Sequence, residues 1–426
     1  MAADSADTTT AAPRARRPWA PIPDHVPKEL VFDVEHYMDP NNLTDPFAQT
    51  KNIYQELPPL FYAPVIQRAL YEGTWVVTHY EDIREVYQND TLYSTADVAN
   101  FQVLLGESWP MIPLAIDPPD HGKYRVLLNP WFSPRAITEM EPRIRGTIND
   151  LIDSFIHKGE CDVSYDFGRL YPVRVFMDLM GFPREMLEDF LQWEYALLHS
   201  NGDLEKMTWG IGSALKYVRS FIQEMRENPQ NNLTSHIVHG QVEGRPVTDE
   251  EIDGTVLFLW VGGLDTVAAS SSLMFRRMGK DLDLQRRLRA NPEQIPEAIE
   301  EFLRMQPLVN STRLVKQDHQ IHGVTIKKGD HVQCFNSAGN FDPAEFERPW
   351  EFRLDRPSNR HFTLAGGPHR CLGSHLARRE LRIATAEFLR RVPEFHIKEG
   401  FDTTAWPGLI AMPKLPLVWD PKAVVA

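Results

Sequence analysis

The chain has few cysteines and no long apolar run, and each absence argues against a class of protein. Its three cysteines, Cys161, Cys334 and Cys371, lie far apart in 426 residues and provide no disulfide framework, so a reducing cytoplasm is expected. The longest apolar run, residues 255–264, is half as long as a bilayer span. Residues 1–20 contain no signal-like apolar core and are predicted to form a disordered tail of a soluble protein.

Positive charge is also scarce. The sequence has 45 basic and 59 acidic residues, a net charge of −14, which argues against nucleic acid or an anionic membrane as a partner. The hydrophobic content of 42% is enough for a large core.

Hydrophobic periodicity predicts a mainly helical protein with small β-sheets. Helices are expected at about 79–88, 134–157, 183–200, 203–227, 248–279, 293–305 and 373–391. Short strands are expected at 71–78, 313–316, 322–326, 331–334 and 417–420. Because no repeat or linker divides the chain, residues 21–426 are predicted to form a single domain.

The stretch from Leu364 to Gly373 combines a bent loop with one cysteine at the start of a helix. The positive end of a helix favours a thiolate at Cys371, and Gly373 removes a side chain where a flat group could approach. These features suit an anionic iron ligand under a planar cofactor. Two alternatives are a buried structural cysteine and a zinc cluster with His369 and His375, although no fourth zinc ligand is suitably spaced.

A second unusual stretch, residues 257–267, places Gly262 and Gly263 inside a predicted helix. Two helical glycines cost about 2 kcal/mol relative to alanine, so they suggest close approach of a planar group. Asp265 and Thr266 follow, on a face shared with Gly262, and they could either cap a turn or carry protons.

The whole pattern from Gly367 through Cys371 to Glu380 resembles the haem-thiolate loop of cytochromes P450. The resemblance implies the P450 fold, a triangular helical prism, with haem b bound through Cys371 and flanked by Gly262 and Gly373. It implies that Asp265 and Thr266 are the oxygen-activating acid and alcohol, and that Glu301 and Arg304 form a buried folding element. The implied partners of the haem propionates are His121, Arg125, Arg313 and His369.

Within that family the chain is most similar to the bacterial camphor hydroxylase and its relatives, as in residues 117–119, 261–267 and 415–420. This implies electrons from a [2Fe–2S] ferredoxin that is reduced by an NADH-dependent flavin reductase. The implied docking face contains Lys123, Arg125, Arg360, Arg370 and Arg379. Leu364, Ala365 and Ser311 depart from the family pattern, and a shifted haem potential is expected from the first two.

The apolar loop at 97–113 could be either a lid over the core or the wall of a ligand pocket. Trp109 replaces the tyrosine that anchors the ketone in camphor hydroxylases, and an indole N–H can only donate. An apolar pocket with at most one donor suits a small terpenoid or norisoprenoid. The predicted pocket residues are Phe101, Trp109, Met111, Phe258, Val261, Val309 and Leu409.

Three function classes therefore compete. The first is a ferredoxin-dependent monooxygenase, the second a peroxide-driven haem-thiolate enzyme, and the third a non-catalytic haem sensor or carrier. Asp265 and Thr266 favour the first, because the other two classes have less need of a proton relay.

Overall fold

The structure is a computed structural model that describes residues 19–34, 50–65, 73–200, 202–403, 412 and 414–424. Except for Trp19 and Ala20, the predicted tail at 1–20 lies outside the described residues, as does Leu409.

The described residues confirm a mainly helical fold. The helices are α1 (Thr50–Glu56), α2 (Tyr80–Gln88), α3 (Asp120–Leu128), α4 (Pro134–Phe155), α5 (Leu170–Met180), α6 (Leu187–Leu198), α7 (Leu204–Glu227), α8 (Leu233–Val238), α9 (Asp249–Lys280), α10 (Leu282–Ala290), α11 (Ile295–Met305), α12 (Asn336–Gly339) and α13 (Ser374–Arg391).

Short strands form small sheets beside the helices. The strands are β1 (Leu60–Ala63), β2 (Thr74–Val77), β3 (Tyr93–Ser94), β4 (Glu160–Asp162), β5 (Gln241–Val242), β6 (Arg245–Pro246), β7 (Thr312–Val315), β8 (His319–Ile321), β9 (Val324–Ile326), β10 (His331–Cys334), β11 (Phe395–Ile397) and β12 (Pro416–Trp419). One sheet has the order β1-β2-β10-β7-β3, another has the order β11-β12-β4, and β5-β6 and β8-β9 are hairpins. Only the β10–β2 pair among them is parallel, with Val332 opposite Trp75.

Two predicted elements are wrong at their ends. The helix expected from residue 183 begins at Leu187, because Pro183 is extended and a 3-10 turn follows it. His322, predicted to start a strand, lies in the turn between β8 and β9 with φ of +49°.

The predicted helix ranges leave out α1, α3, α5, α8, α10 and α12, of which α5 is the longest. Helix α5 buries eight of its eleven residues, and only Leu170, Arg174 and Asp178, spaced four apart, remain half-buried, so its polar face is narrow. Helix α10 has only nine residues, and Leu284 and Leu288 are the apolar residues that it buries.

Helix α9 is the central helix of the main core. It begins with a capping box, in which Thr248 and Glu251 each bond the other's backbone N–H. It then packs against α5, α6, α7, α8, α10 and α13. The helix is apolar and long enough to cross a membrane, but 67% of its most apolar window is buried inside the protein, as in a core helix.

The pair Glu301 and Arg304 is buried, as the resemblance implied. Both side chains have no exposed surface, and Arg304 donates to the two oxygens of Glu301 over 2.8 and 2.7 Å. Arg356 and Asn359 also donate to Glu301, and the backbone N–H of Arg353 completes the set. This network joins α11 to the irregular segment before the Cys371 loop.

Candidate active site

The Cys371 loop has a backbone that its sequence dictates. Gly367 has φ of +63°, and a Cβ there would lie 2.0 Å from the carbonyl oxygen of Tyr87, so only glycine fits. The N–H of Cys371 donates to the carbonyl of Leu364 over 2.9 Å, which closes the loop. Ala365 adopts φ of +56°, a left-handed conformation that is strained for a residue with a side chain.

Opposing effects act on the pKa of the Cys371 thiol. Burial raises the pKa of Cys371, and although the N–H of Gly373 and nearby Arg125 lower it, burial outweighs them. Helix α13 begins at Ser374, and the N–H of Gly373 just before it favours the thiolate, as the sequence predicts, although burial opposes it more strongly. Among the described residues, His369, Cys371 and His375 do not form a metal-binding cluster, which argues against the zinc alternative.

The two glycines of α9 have different surroundings. A Cβ on Gly262 would meet only Phe258, at 4.0 Å, so this part of a core helix faces open space. A Cβ on Gly263 would lie 2.4 Å from Phe176, so this glycine permits close packing of α5 on α9. Only Gly262, which is exposed, therefore fits the predicted role beside a planar cofactor. A Cβ on Gly373 would meet only the sulfur of Cys371, at 4.0 Å, so that backbone is also open to a flat group.

Asp265 does not share the open face of Gly262, which corrects the expectation from helical spacing. Thr266 is half-buried there, with its hydroxyl 3.4 Å from the carbonyl of Gly262, but the carboxylate of Asp265 is buried and turned toward α6. Its Oδ2 lies 3.3 Å from Nε2 of His199, and the same nitrogen lies 3.3 Å from Oε1 of Glu194.

The carboxylates of Asp265 and Glu194 share a single basic partner, His199. Burial and then the charge of Asp265 raise the pKa of Glu194. Burial alone would lower the pKa of His199, but Asp265 and Glu194 outweigh it and raise the pKa to about 9. Glu194 and His199 were not predicted as site residues, because no local pattern in the sequence shows that the end of α6 meets α9.

The predicted propionate partners form a group of donors. The rings of His121 and His369 are 4.1 Å apart, and burial lowers their pKa values to about 4 and 3, with Arg125 and His121 respectively adding to the effect. Arg313 is buried over the ring of Tyr87, and no carboxylate in the described part of the chain forms an ion pair with it. A buried guanidinium without a counter-charge fits a cofactor carboxylate.

Hydrogen bonds and ion pairs connect the loop at 97–113 to α7 and α9. Trp109 donates its indole N–H to Glu107 over 2.9 Å, and Glu107 also accepts from Arg219 of α7 over 2.8 Å. Arg219 donates to Asp253 of α9 over 2.7 Å as well. The sequence left open whether Trp109 could bind a substrate oxygen; here its donor is already occupied.

The structure separates the predicted pocket residues. Phe101, Phe258 and Val261 are partly exposed and Val309 is 41% exposed, so each retains surface for a ligand. Met111 and Trp109 are 0% and 4% exposed, so they present little or no surface to a ligand in this conformation.

Most of the positively charged side chains predicted to bind the ferredoxin form ion pairs within the protein. Ion pairs neutralise three of them: Lys123 with Asp120 and Glu243, Arg360 with Glu345, and Arg379 with Glu141. In the described part of the chain, Arg125 and Arg370 form no ion pair, although Arg125 donates to the carbonyl of Arg370 over 2.9 Å.

Comparisons with known proteins agree on one family. The family model described as Cytochrome P450 matches residues 173–416. A relative named "Probable cytochrome P450 127A1", from Sinorhizobium fredii, is 37% identical and the match covers 91% of this chain and 94% of that protein. The crystal structure of CYP101J2 has a TM-score of 0.83 and 32% identity, with coverage of 94% and 99%. That of CYP101C1 has a TM-score of 0.82 and 30% identity, with coverage of 94% and 100%.

Proposed function

The chain belongs to the cytochrome P450 family and is a haem b monooxygenase, and we propose that it hydroxylates a small apolar substrate with electrons from a [2Fe–2S] ferredoxin. The observation that carries this proposal is the combination of a fixed Cys371 loop with an open, apolar face on α9 that retains the Thr266 hydroxyl.

Each residue near the cofactor has a distinct role in this proposal. Haem supplies an iron that activates O₂, and a thiolate ligand from Cys371 favours cleavage of the O–O bond. His121, Arg125, Arg313 and His369 hold the propionates, and the uncompensated charge of buried Arg313 supports this role. Gly262 and Gly373 leave room for the flat ring.

Thr266 and Asp265 would hold and pass protons on the side of α9 where the haem would bind. The Thr266 hydroxyl lies at the open face, where it can hold a proton donor in place. Asp265 directly precedes Thr266 in α9, and its carboxylate faces Glu194 and His199, of which His199 retains 11% of its side-chain exposure. An acid next to Thr266 supports a monooxygenase over a peroxide-driven enzyme or a haem sensor.

A compact hydrocarbon with few polar groups suits the pocket. Apolar surface is offered by Phe101, Phe258, Val261 and Val309. The indole N–H of Trp109 already donates to Glu107 and is not available to a substrate. A terpenoid or norisoprenoid that binds through shape, with at most one hydrogen bond from Thr266, fits these walls.

The electron donor is proposed to dock at the positive charges of half-buried Arg125 and exposed Arg370, and an acidic ferredoxin reduced by an NADH-dependent flavin reductase matches them. The three cysteines are free thiols, which supports a cytoplasmic location.

A substrate screen tests this proposal. Terpenoids and norisoprenoids should convert the haem iron from low to high spin, whereas long fatty acids should not. With the best ligand, ferredoxin, reductase and NADH should form a hydroxylated product that mass spectrometry identifies, and peroxide alone should be much slower. A response only to fatty acids, or efficient turnover with peroxide alone, would contradict the proposal.

The ferredoxin part has its own variant. Arg370→Ala should slow the first reduction several-fold at low salt, and the difference should shrink at high salt. Lys327→Ala, which removes one positive charge from the turn after β9, is the matched control and should have no effect. Equal reduction rates in wild type and Arg370→Ala at low salt would count against this docking face.

A further inference from the structure

Three side chains from two elements meet beside α9 in an arrangement that their hydrogen bonding does not explain. Glu194 lies on α6, His199 directly follows that helix, and Asp265 lies on α9. The Nε2 atom of His199 lies 3.3 Å from one oxygen of each carboxylate, and the three atoms are all within 4.8 Å of one another.

The two carboxylate oxygens have His199 nearby but no hydrogen bond. Oε1 of Glu194 and Oδ2 of Asp265 are shielded from solvent, and neither accepts a hydrogen bond of acceptable geometry. The side chains are 5% and 10% exposed, so more than nine-tenths of Glu194 is buried. Since one imidazole nitrogen carries at most one proton, it cannot satisfy both oxygens. An unsatisfied buried acceptor costs about 1–3 kcal/mol, so a bound group that reaches all three atoms would stabilise the cluster.

Two of the three separations match those around a small metal ion, and the third is within 4.8 Å. Zinc binds imidazole nitrogen and carboxylate oxygen at about 2.0–2.2 Å, and a tetrahedron with such bonds has edges of roughly 3.3–3.6 Å. Both measured separations from His199, at 3.3 Å, have this length. Calcium would require six or more oxygen ligands, which these three side chains cannot supply.

We propose that Glu194, His199 and Asp265 form a binding site for a divalent transition-metal cation, with the dimensions of a Zn²⁺ site and with water as the fourth ligand. The two carboxylates neutralise the charge of the ion, and His199, which releases one ring proton to solvent when the ion binds, supplies the third bond as a neutral imidazole. The ion can enter beside His199, whose side chain retains 11% exposure under the stacked ring of Tyr195.

The consequence for catalysis rests on the proposed function. Asp265 bound to a cation cannot carry a proton toward Thr266, so Zn²⁺ would inhibit oxygen activation without touching the haem.

Calorimetric titration of the untagged, haem-loaded protein with Zn²⁺, after treatment with EDTA and desalting, tests the site. We expect one equivalent to bind, and at least ten-fold weaker binding in His199→Gln and in Glu194→Gln. His322→Gln is the matched control, because His322 also contacts a carboxylate, Asp82 at 2.8 Å, but has no third ligand within the described residues. It should bind as wild type does.

Three results would overturn the proposal: no stoichiometric binding by wild type, unchanged binding in both variants, or an equal loss in His322→Gln. If Glu194→Gln does not fold, Glu194→Asp keeps the charge but withdraws the oxygen by one methylene, and it should still bind more weakly than wild type. The carbon monoxide spectrum of each sample reports haem ligation separately, so failure of the metal site would leave the monooxygenase assignment untouched.

Discussion

Two buried groups of charges flank the active site, and they are satisfied to different degrees. Near α11 and α13, Glu300 and Glu301 each accept hydrogen bonds from several side chains, including Arg378 and Arg304. Between α6 and α9, two buried carboxylate oxygens face a single imidazole nitrogen and have no acceptable hydrogen bond. The first group is built for rigidity and supports the cysteine loop. The second group has acceptor atoms without hydrogen bonds, and such atoms are available to a proton or to a bound ion.

Breaking the rigid group should have the largest effect. Arg304→Ala leaves buried Glu301 without its main partner and should lower the free energy of unfolding by about 3–5 kcal/mol, or prevent haem-bound protein from accumulating. Urea unfolding measures this. Arg348→Ala, which removes an exposed pair with Glu351, should cost about 1 kcal/mol at most. Similar losses in both variants would mean that the buried network stabilises the protein no more than an exposed ion pair does.

Acid should weaken the same group. Burial raises the pKa of Glu300, but His361 and Arg378 outweigh burial and lower it to about 2, from an ordinary 4.5. A lowered folded pKa stabilises the protein above the unfolded value, and this contribution is lost as the pH falls from 4.5 toward 2. Glu300→Gln should therefore be less stable at neutral pH, by up to about 3 kcal/mol, and the gap should close in acid. A constant gap, followed by denaturant unfolding between pH 7 and 3, would contradict this.

The adjacent glycines of α9 sharpen the comparison within one helix. Gly263→Ala forces a Cβ against Phe176 and should cost about 1–3 kcal/mol in unfolding free energy. Gly262→Ala meets open space, so helix propensity should make it neutral or up to about 1 kcal/mol more stable. Its effect should instead appear in ligand binding and in the spin state of the haem. Equal destabilisation by both substitutions would show that Gly262 does not face a cavity.

The smallest effect is expected in the cysteine loop. Ala365 has φ of +56°, a conformation that costs an L-residue roughly 1–2 kcal/mol, whereas glycine adopts it freely but loses about 0.4–1 kcal/mol through unfolded-state entropy. Ala365→Gly should therefore stabilise the protein by up to about 1 kcal/mol in thermal unfolding. A loss of stability would show that the left-handed backbone is not strained.

Local patterns predicted the parts of the fold whose residues determine their own conformation. Helical patterns and end signals marked α7 and α9 to within one residue at each end, and the glycines and proline at 366–368 marked the turn before Cys371. Helix α5 was missed because its polar face consists of Arg174 and Asp178 alone.

Site residues that belong to a local sequence motif could be predicted. The orientation of a side chain that depends on contacts between distant helices could not. Cys371, Gly262 and Thr266 were predicted, and their surroundings suit their proposed roles. The orientation of Asp265 toward His199 was not predictable, because it depends on how α6 meets α9. Similarly, the sequence predicted Trp109 as a possible substrate donor but could not show that Glu107 already accepts its N–H.

The central claim is that the sulfur of Cys371 binds the haem iron, and the spectrum of the reduced protein under carbon monoxide tests it most directly. Wild type and Cys161→Ala should both show the red-displaced Soret band of thiolate ligation, and Cys371→Ala should lack it. A wild-type spectrum without that band, or its survival in Cys371→Ala, would contradict the account.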